Sequence, residues 1–477
     1  MVFRRLAKDS LIYGGADFFT KLLTFFAFPI IAAALSPKAF GALELIFSVT
    51  ALLALLINCG LNNAVQRFYW DKDTVPKLQP VIVTSGFYAQ ASFGLIAVII
   101  GLVTIPLALP WMPTDEWPLT WVALVAALFI MALTQLSQFA LDVIRLHLAH
   151  WRFFVLALIS RSVTMGLGLI AVVHLGLGID GLLVAQLLVL ILITPLALWM
   201  IRKDFQVASF DRAWLKELVR FGHPFIYVGL AYWLFGSMDR WMLASIANVE
   251  EVGIYSVAFR FASVVLFVSL AFGQAWSPVA MKVLVDHPDE YRSIYGRVLL
   301  LLTFVMLTVG GSVALFSGEI IILIMPIEYL PSAMPLAILC FGIVLQTTQQ
   351  ITAIGISLEK KTYLFARLAW LTAIINLIGN WLLIPDFGAT GAALATLISY
   401  CMLTSYYLYY TQKLHPLIID WLKVISLIVF GFILLCLSVI LMAKQLDPSL
   451  ILVKIAILLV GLSFVWRFLQ IRKISVI

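Results

Sequence analysis

The sequence predicts an all-α polytopic membrane protein with fourteen transmembrane helices. They form two six-helix bundles related by pseudo-two-fold symmetry, plus two extra C-terminal helices. Three observations carry this reading. Of 477 residues, 63% are hydrophobic and 12% charged, where an average soluble domain carries roughly 25% charge. The apolar residues fall into many blocks of about 20, the length at which a helix crosses a hydrocarbon core of about 30 Å. Basic residues collect at alternate block ends. The first two observations argue against a soluble fold, and the third sets the orientation.

Span 1 (11–35) follows Arg4, Arg5 and Lys8 and ends near small residues, as a signal peptide would. Asp17 and Lys21 interrupt its apolar run, which continues past Pro29, so it reads as an uncleaved helix. Arg67, Lys72 and Lys77 lie between span 2 (41–65) and span 3 (81–109). Arg145 and Arg152 lie between span 4 (118–144) and span 5 (153–175), and Arg202 and Lys203 follow span 6 (181–201). Spans 7 (221–246) and 8 (255–280) are followed by Lys282, Arg292 and Arg297 at the start of span 9 (292–316). Lys360, Lys361 and Arg367 mark the junction of spans 10 (333–357) and 11 (364–385). Lys413 and Lys423 mark that of spans 12 (391–411) and 13 (421–443), and Arg467, Arg472 and Lys473 close span 14 (450–467). Pro29, Pro106 and Pro195 lie within spans and can kink them.

With Arg212, Lys216 and Arg220 of the central linker, 24 of the 31 basic residues lie on one face. The other face holds Lys38, Lys444 and Lys454. The positive-inside rule then places both termini in the cytoplasm and the protein in the cytoplasmic (inner) membrane, in contact with membrane lipids. The net charge of +7 is therefore mostly topology and does not imply a nucleic-acid partner. Cys59, Cys340, Cys401 and Cys436 lie in or beside apolar blocks without metal-ligand spacing and read as core residues.

The chain repeats itself weakly. "PKAFGALELIFSV" (37–49) resembles "VEEVGIYSVAFRF" (249–261), and "GIDGLLVAQL" (178–187) resembles "GATGAALATL" (388–397). The offsets are 212 and 210 residues, in the same order. Six helices per unit make the two repeats parallel in the membrane. The expected organisation is a first bundle over 1–201, a cytoplasmic amphipathic linker over 202–220, a second bundle over 221–412, and spans 13 and 14 with a tail over 413–477. In the linker, Trp214, Leu215, Leu218 and Phe221 share one face, and Ser209 or Asp211 is a candidate cap.

Charges inside spans are the candidate substrate-binding residues, because a lipid-exposed charge costs several kcal/mol, roughly 3 on insertion scales. Asp17 and Lys21 share a face of span 1, and Lys21 lies about 15 Å from the helix end. Arg161 is about 12 Å in from the same side, and Arg260 about 8 Å in from the other. Asp239 and Arg240 lie near the outer end of span 7, about 100° apart on the helix, so they need not pair. They line the outward mouth of a cavity or serve a structural network. Lys and Arg at depth suit a phosphate group, which Arg matches with a planar fork.

"LVRFGHPF" (218–225), "MDRWML" (238–243) and "VGIYSVAFRF" (252–261) resemble the polysaccharide branch, the Wzx-type flippases, of the multidrug/oligosaccharidyl-lipid/polysaccharide (MOP) exporter superfamily. The helix plan is similar over nearly the whole chain. The resemblance implies alternating-access transport of a polyprenyl-pyrophosphate-linked oligosaccharide through a central, often cationic cavity. It implies work beside polysaccharide polymerase and assembly proteins in O-antigen, lipopolysaccharide or exopolysaccharide synthesis, and no enzymatic activity. The alternatives are a drug/cation antiporter of the same superfamily, which would favour acidic residues at depth, and a peptidoglycan-precursor flippase. A membrane-bound polymerase or ligase would carry a long external loop, and the longest outside segment here, 317–332, is itself apolar. No catalytic, cofactor or metal residues are expected. "DKD" (71–73) lies in a short loop, "HLAH" (147–150) has no third ligand and reads as a solvated turn, and no P-loop pattern occurs.

Overall fold

The computed structural model describes residues 19–20, 22–71, 75–108, 118–147, 149–205, 209–361 and 363–469. Among them the regular structure is helical and contains no strand. In order the helices are α1 (Leu22–Ala33), α2 (Pro37–Asn58), α3 (Leu61–Tyr69), α4 (Gln79–Ala108), α5 (Trp121–Leu146), α6 (His150–Leu169), α7 (Gly178–Met200) and α8 (Arg212–Gly222). There follow α9 (Pro224–Ile246), α10 (Val249–Asp286), α11 (Tyr291–Leu315), α12 (Ser317–Ile324), α13 (Ala333–Thr352), α14 (Ile354–Leu358), α15 (Tyr363–Leu414), α16 (Trp421–Ile440) and α17 (Pro448–Leu469).

Eleven helical stretches among the described residues are long and apolar enough to cross a membrane. Three of the fourteen expected spans fall outside that count. Helix α1 is described only in part. Helix α9, 23 residues long, has its apolar run diluted by Asp239, Arg240 and glycine. Helix α15, at 52 residues, covers two expected spans and is broken at Gly388, whose φ is +51°. Large apolar side chains face outward along the helices, among them Leu192, Phe432 and Val460 at 73%, 65% and 68% exposure. Such an apolar surface is stable only against lipid. The protein is a multi-pass membrane protein.

The chain forms two compact units, Met1–Ser237 and Met238–Ile477, divided inside α9. In the first, α5 packs against α7, α4 and α2. Ser36 caps α2 by accepting from the Ala39 amide at 3.2 Å, with Pro37 at the first helical position. Helix α2 ends where Cys59 and Gly60 both turn left-handed, at φ +48° and +67°. Gly60 and Gly222 meet backbone to backbone there, and a Cβ on either would overlap the other segment. Helix α8 starts at the Asp211 cap, which accepts from the Ala213 amide at 2.7 Å. Its Leu218 is fully buried, and Trp214 and Phe221 meet Phe68 edge-on at 5.7 and 5.4 Å. The apolar face of the linker helix is thus spent on α3 and α4.

In the second unit, α13 packs against α15, α11 and α10. Lys454, counted from sequence among the basic residues of the second face, lies inside α17 and is fully buried. Its ammonium donates to both oxygens of Glu319 at 2.7 and 2.8 Å. In each unit a histidine–carboxylate pair joins the ends of helices distant in sequence. His147 Nε2 lies 2.8 Å from Asp204, and His415 Nδ1 lies 3.4 Å from Glu359, with Tyr291 on its other nitrogen at 2.7 Å. The partners are 57 and 56 residues apart, with acid and base exchanged. His147 is exposed at the turn that ends α5, and it also pairs with Asp204.

Candidate functional site

Asp239 anchors a polar cluster in the second unit. It is 7% exposed, in a helix that is otherwise largely apolar. Three elements bring partners to it. Helix α10 is capped by Asn248, whose side chain accepts from the Glu251 amide at 2.9 Å. That fixes the helix so that Tyr255, fully buried, donates its hydroxyl to Asp239 Oδ2 at 2.7 Å. The other two elements are the limbs of α15. Asn376 and Asn380, four residues apart, project from one face of the first limb. Thr396 comes from the second limb and lies 3.5 Å from Asn376, 20 residues away, so the second limb returns beside the first. Gly388 makes that reversal, and Glu251 locks it by accepting from the Ala389 amide at 2.7 Å.

Asn380 Nδ2 donates to Asp239 Oδ1 at 2.6 Å, and Thr396 Oγ1 to Oδ2 at 3.1 Å. Asp239 therefore accepts from three neutral donors. Arg240 points elsewhere: its Nε donates to Ser256 Oγ at 3.1 Å, and its guanidinium lies 5.4 Å from the centre of the Phe259 ring. Hydrogen bonds to a charged group contribute roughly 1.5–3 kcal/mol each. Three of them offset part of the several kcal/mol that burying a carboxylate costs.

One acceptor in this cluster has no partner: Asn380 Oδ1 is buried and unbonded. With the carboxylate of Asp239, Asn376 Oδ1 and Thr396 Oγ1, it makes an oxygen-rich set. Such a set suits a proton or a small hard cation, which takes oxygen ligands. The described residues contain no group of three or more His, Cys, Asp and Glu side chains that could hold a metal ion.

The other candidates are distributed differently. Asp17 and Lys21 lie outside the described residues. Arg161 is exposed on α6, and Arg260 is half-buried on α10. The described structure brings Asp239 and Arg240 into one neighbourhood with Tyr255 and Ser256. Sequence reasoning missed Asn376, Asn380 and Thr396. A signal was available: two amides at helical spacing in the apolar stretch "INLIGNWLL" (375–383) have nothing to bond to in lipid.

Comparison with known proteins agrees with this architecture. Residues 6–284 match the family described as "Polysaccharide biosynthesis protein". Over 432 residues the chain is 23% identical to the "Probable low-salt glycan biosynthesis flippase Agl15" of Haloferax volcanii, covering 89% of each protein. Its fold is similar to that of the lipid II flippase MurJ in an inward closed conformation. That match has a TM-score of 0.72 at 16% identity and covers 96% of this chain and 100% of the other. It is also similar to an inward-facing multidrug resistance MATE transporter of the MOP superfamily, with a TM-score of 0.65 at 15% identity, covering 82% and 94%. A family match over more than half the chain, on the fold of membrane transporters and beside a glycan flippase, settles the class: the chain belongs to the polysaccharide biosynthesis protein family, whose relatives here are transporters and not enzymes.

Proposed function

We propose that this protein carries a polyprenyl-pyrophosphate-linked oligosaccharide across the cytoplasmic membrane by alternating access, with both termini in the cytoplasm. A small cation or proton taken up at Asp239 drives the cycle. The observation that carries the proposal is the buried Asp239 carboxylate, held by Tyr255, Asn380 and Thr396 with an unbonded Asn380 oxygen beside it. An ionisable group kept inside a span without a basic partner is a site for a mobile charge. The two-bundle organisation supports alternating access, because parallel repeats can rock against each other.

Lys21 and Arg161 meet the pyrophosphate from the cytoplasmic side and Arg260 from nearer the outside, while Asp17 orients Lys21. Asp239 and Arg240 divide the work: one takes the coupling charge, and the other is held on Ser256 and Phe259. The glycan reading is supported by the relative in Haloferax volcanii.

The test is surface polysaccharide in a strain lacking its own flippase, with protein level read by immunoblot. Lys21→Ala should abolish surface glycan at normal protein level, and Lys21→Arg should keep part of it. A double Asp17→Ala/Lys21→Ala variant that transports normally would reduce the pair to a structural role.

A further inference from the structure

Helix α3 is an unusual use of sequence in a membrane protein. Right after the left-handed turn at Cys59–Gly60, "LNNAVQRF" (61–68) spends Asn62, Asn63, Gln66 and Arg67 within two turns. Asn62 is half-buried, and Asn63, Gln66 and Arg67 are exposed. Asn62, Asn63 and Gln66 line a cavity of about 120 Å³ with Asp142 and Arg145 of α5, floored by Val65 and Phe139. It lies in the first unit, at the basic ends of α3 and α5, apart from the Asp239 cluster.

The walls of this cavity are pre-organised. Asp142 accepts from Asn62 Nδ2 at 2.6 Å and from Gln138 Nε2 at 3.0 Å. Asn62 accepts in turn from Gln90 at 3.4 Å. Gln90 is fully buried, and its own Oε1 has no partner. The amides of Asn63 and Gln66 are exposed on the rim and make no hydrogen bond among the described residues.

The charge of the cavity selects its occupant. Arg145 Nη1 stands 3.7 Å from Asp142 Oδ1, so the two charges nearly cancel. A phosphate would meet the carboxylate, and a lone cation would meet the guanidinium. A neutral ligand whose groups both donate and accept fits both. Its volume of about 120 Å³ is below the ~150 Å³ of a cavity that holds a bare benzene ring, so it takes one edge of a hydroxylated ring and not the whole ring. The fixed carboxylate, the amides with spare donors and acceptors, and an apolar floor match the hydroxyls and the C–H groups along one edge of a pyranose.

We infer that this cavity is a sugar subsite, which receives one hydroxylated edge of a ring of the lipid-linked glycan on the loading side. The inference rests on the flippase reading and names where the glycan, as distinct from the pyrophosphate, is read. Neither the Asp239 cluster nor the deep basic residues supply that recognition.

The experiment measures binding of three probes to the full-length protein in nanodiscs: polyprenyl pyrophosphate, the same lipid carrying a single hexose or N-acetylhexosamine, and the free monosaccharide. The glycosylated lipid should bind about tenfold tighter than the bare lipid for at least one sugar, and the free sugar only weakly. Asn63→Ala and Gln66→Ala, both on the exposed rim, should remove most of that advantage and leave the bare lipid unchanged. Asp142→Asn should do the same, with a melting curve confirming that it folds. Equal binding of glycosylated and bare lipid by the unaltered protein overturns the subsite while keeping the flippase reading. So does a rim variant that weakens both lipids equally, or neither. Absence of binding to both lipids overturns the flippase reading and the subsite with it.

Discussion

Lys454→Met should unfold the C-terminal part of the protein more readily than any surface substitution. Lys454 is 0% and Glu319 5% exposed, so solvent does not screen the pair. Two short bonds join them, and the ammonium also lies 5.7 Å from the centre of the Phe316 ring. Removing the ammonium leaves Glu319 charged and buried without its partner, which costs about 3–5 kcal/mol. For a unit of this size, 1 kcal/mol corresponds to roughly 2–4 °C, so the melting temperature should fall by roughly 6–20 °C. Replacing both partners, Glu319→Gln with Lys454→Met, removes the stranded charge and should recover most of the loss. Tryptophan fluorescence during heating of the purified protein in detergent reads the change. Single variants melting with the unaltered protein, or a double variant no better than the singles, would refute the reasoning.

Gly222→Ala drives a methyl group into the Cys59–Gly60 backbone, and should lower the melting temperature and the yield of inserted protein far more than Gly236→Ala, which meets open space. Glu251→Gln weakens the bond to the Ala389 amide that secures the Gly388 reversal, and should cost about 1–2 kcal/mol in a denaturant or heat melt. Gly388→Ala at φ +51° should be worse than Glu251→Gln in the same melt, because it strains the backbone and crowds Glu251 together. A fluorescent reporter fused after Ile477 should light up in the cytoplasm, and an active periplasmic reporter at that position would overturn the orientation.

The helical membrane fold was legible because lipid imposes a simple code: apolar blocks of fixed length and basic residues at alternate ends. The amphipathic face of α8 was legible for the same reason, as Leu218 and Phe221 repeat at helical spacing. Asp239 and Arg240 could be singled out as unusual, but not the different partners that each one meets. Adjacent residues on a helix diverge by about 100°, and which neighbour each one meets depends on α10 and α15, more distant in sequence. Asn376, Asn380 and Thr396 become a site only when the Gly388 turn brings the limbs of α15 together beside Asp239. Lys454 was misplaced because a hydropathy pattern counts a lysine near a helix end as solvated, whereas its partner Glu319 lies 135 residues away.

The central claim is that a charge taken up at Asp239 moves a lipid-linked glycan across the bilayer. The direct measurement uses proteoliposomes with a polyprenyl-pyrophosphate oligosaccharide in one leaflet, scored by a lectin that reaches only the other. A sodium or proton gradient is imposed or omitted. The account predicts gradient-dependent appearance of glycan with the unaltered protein. It predicts none with Asp239→Asn, which keeps the shape of the cluster but removes its charge, at equal protein incorporation. Asp239→Asn vesicles that translocate at the unaltered rate, or unaltered protein no faster than empty vesicles, would contradict it.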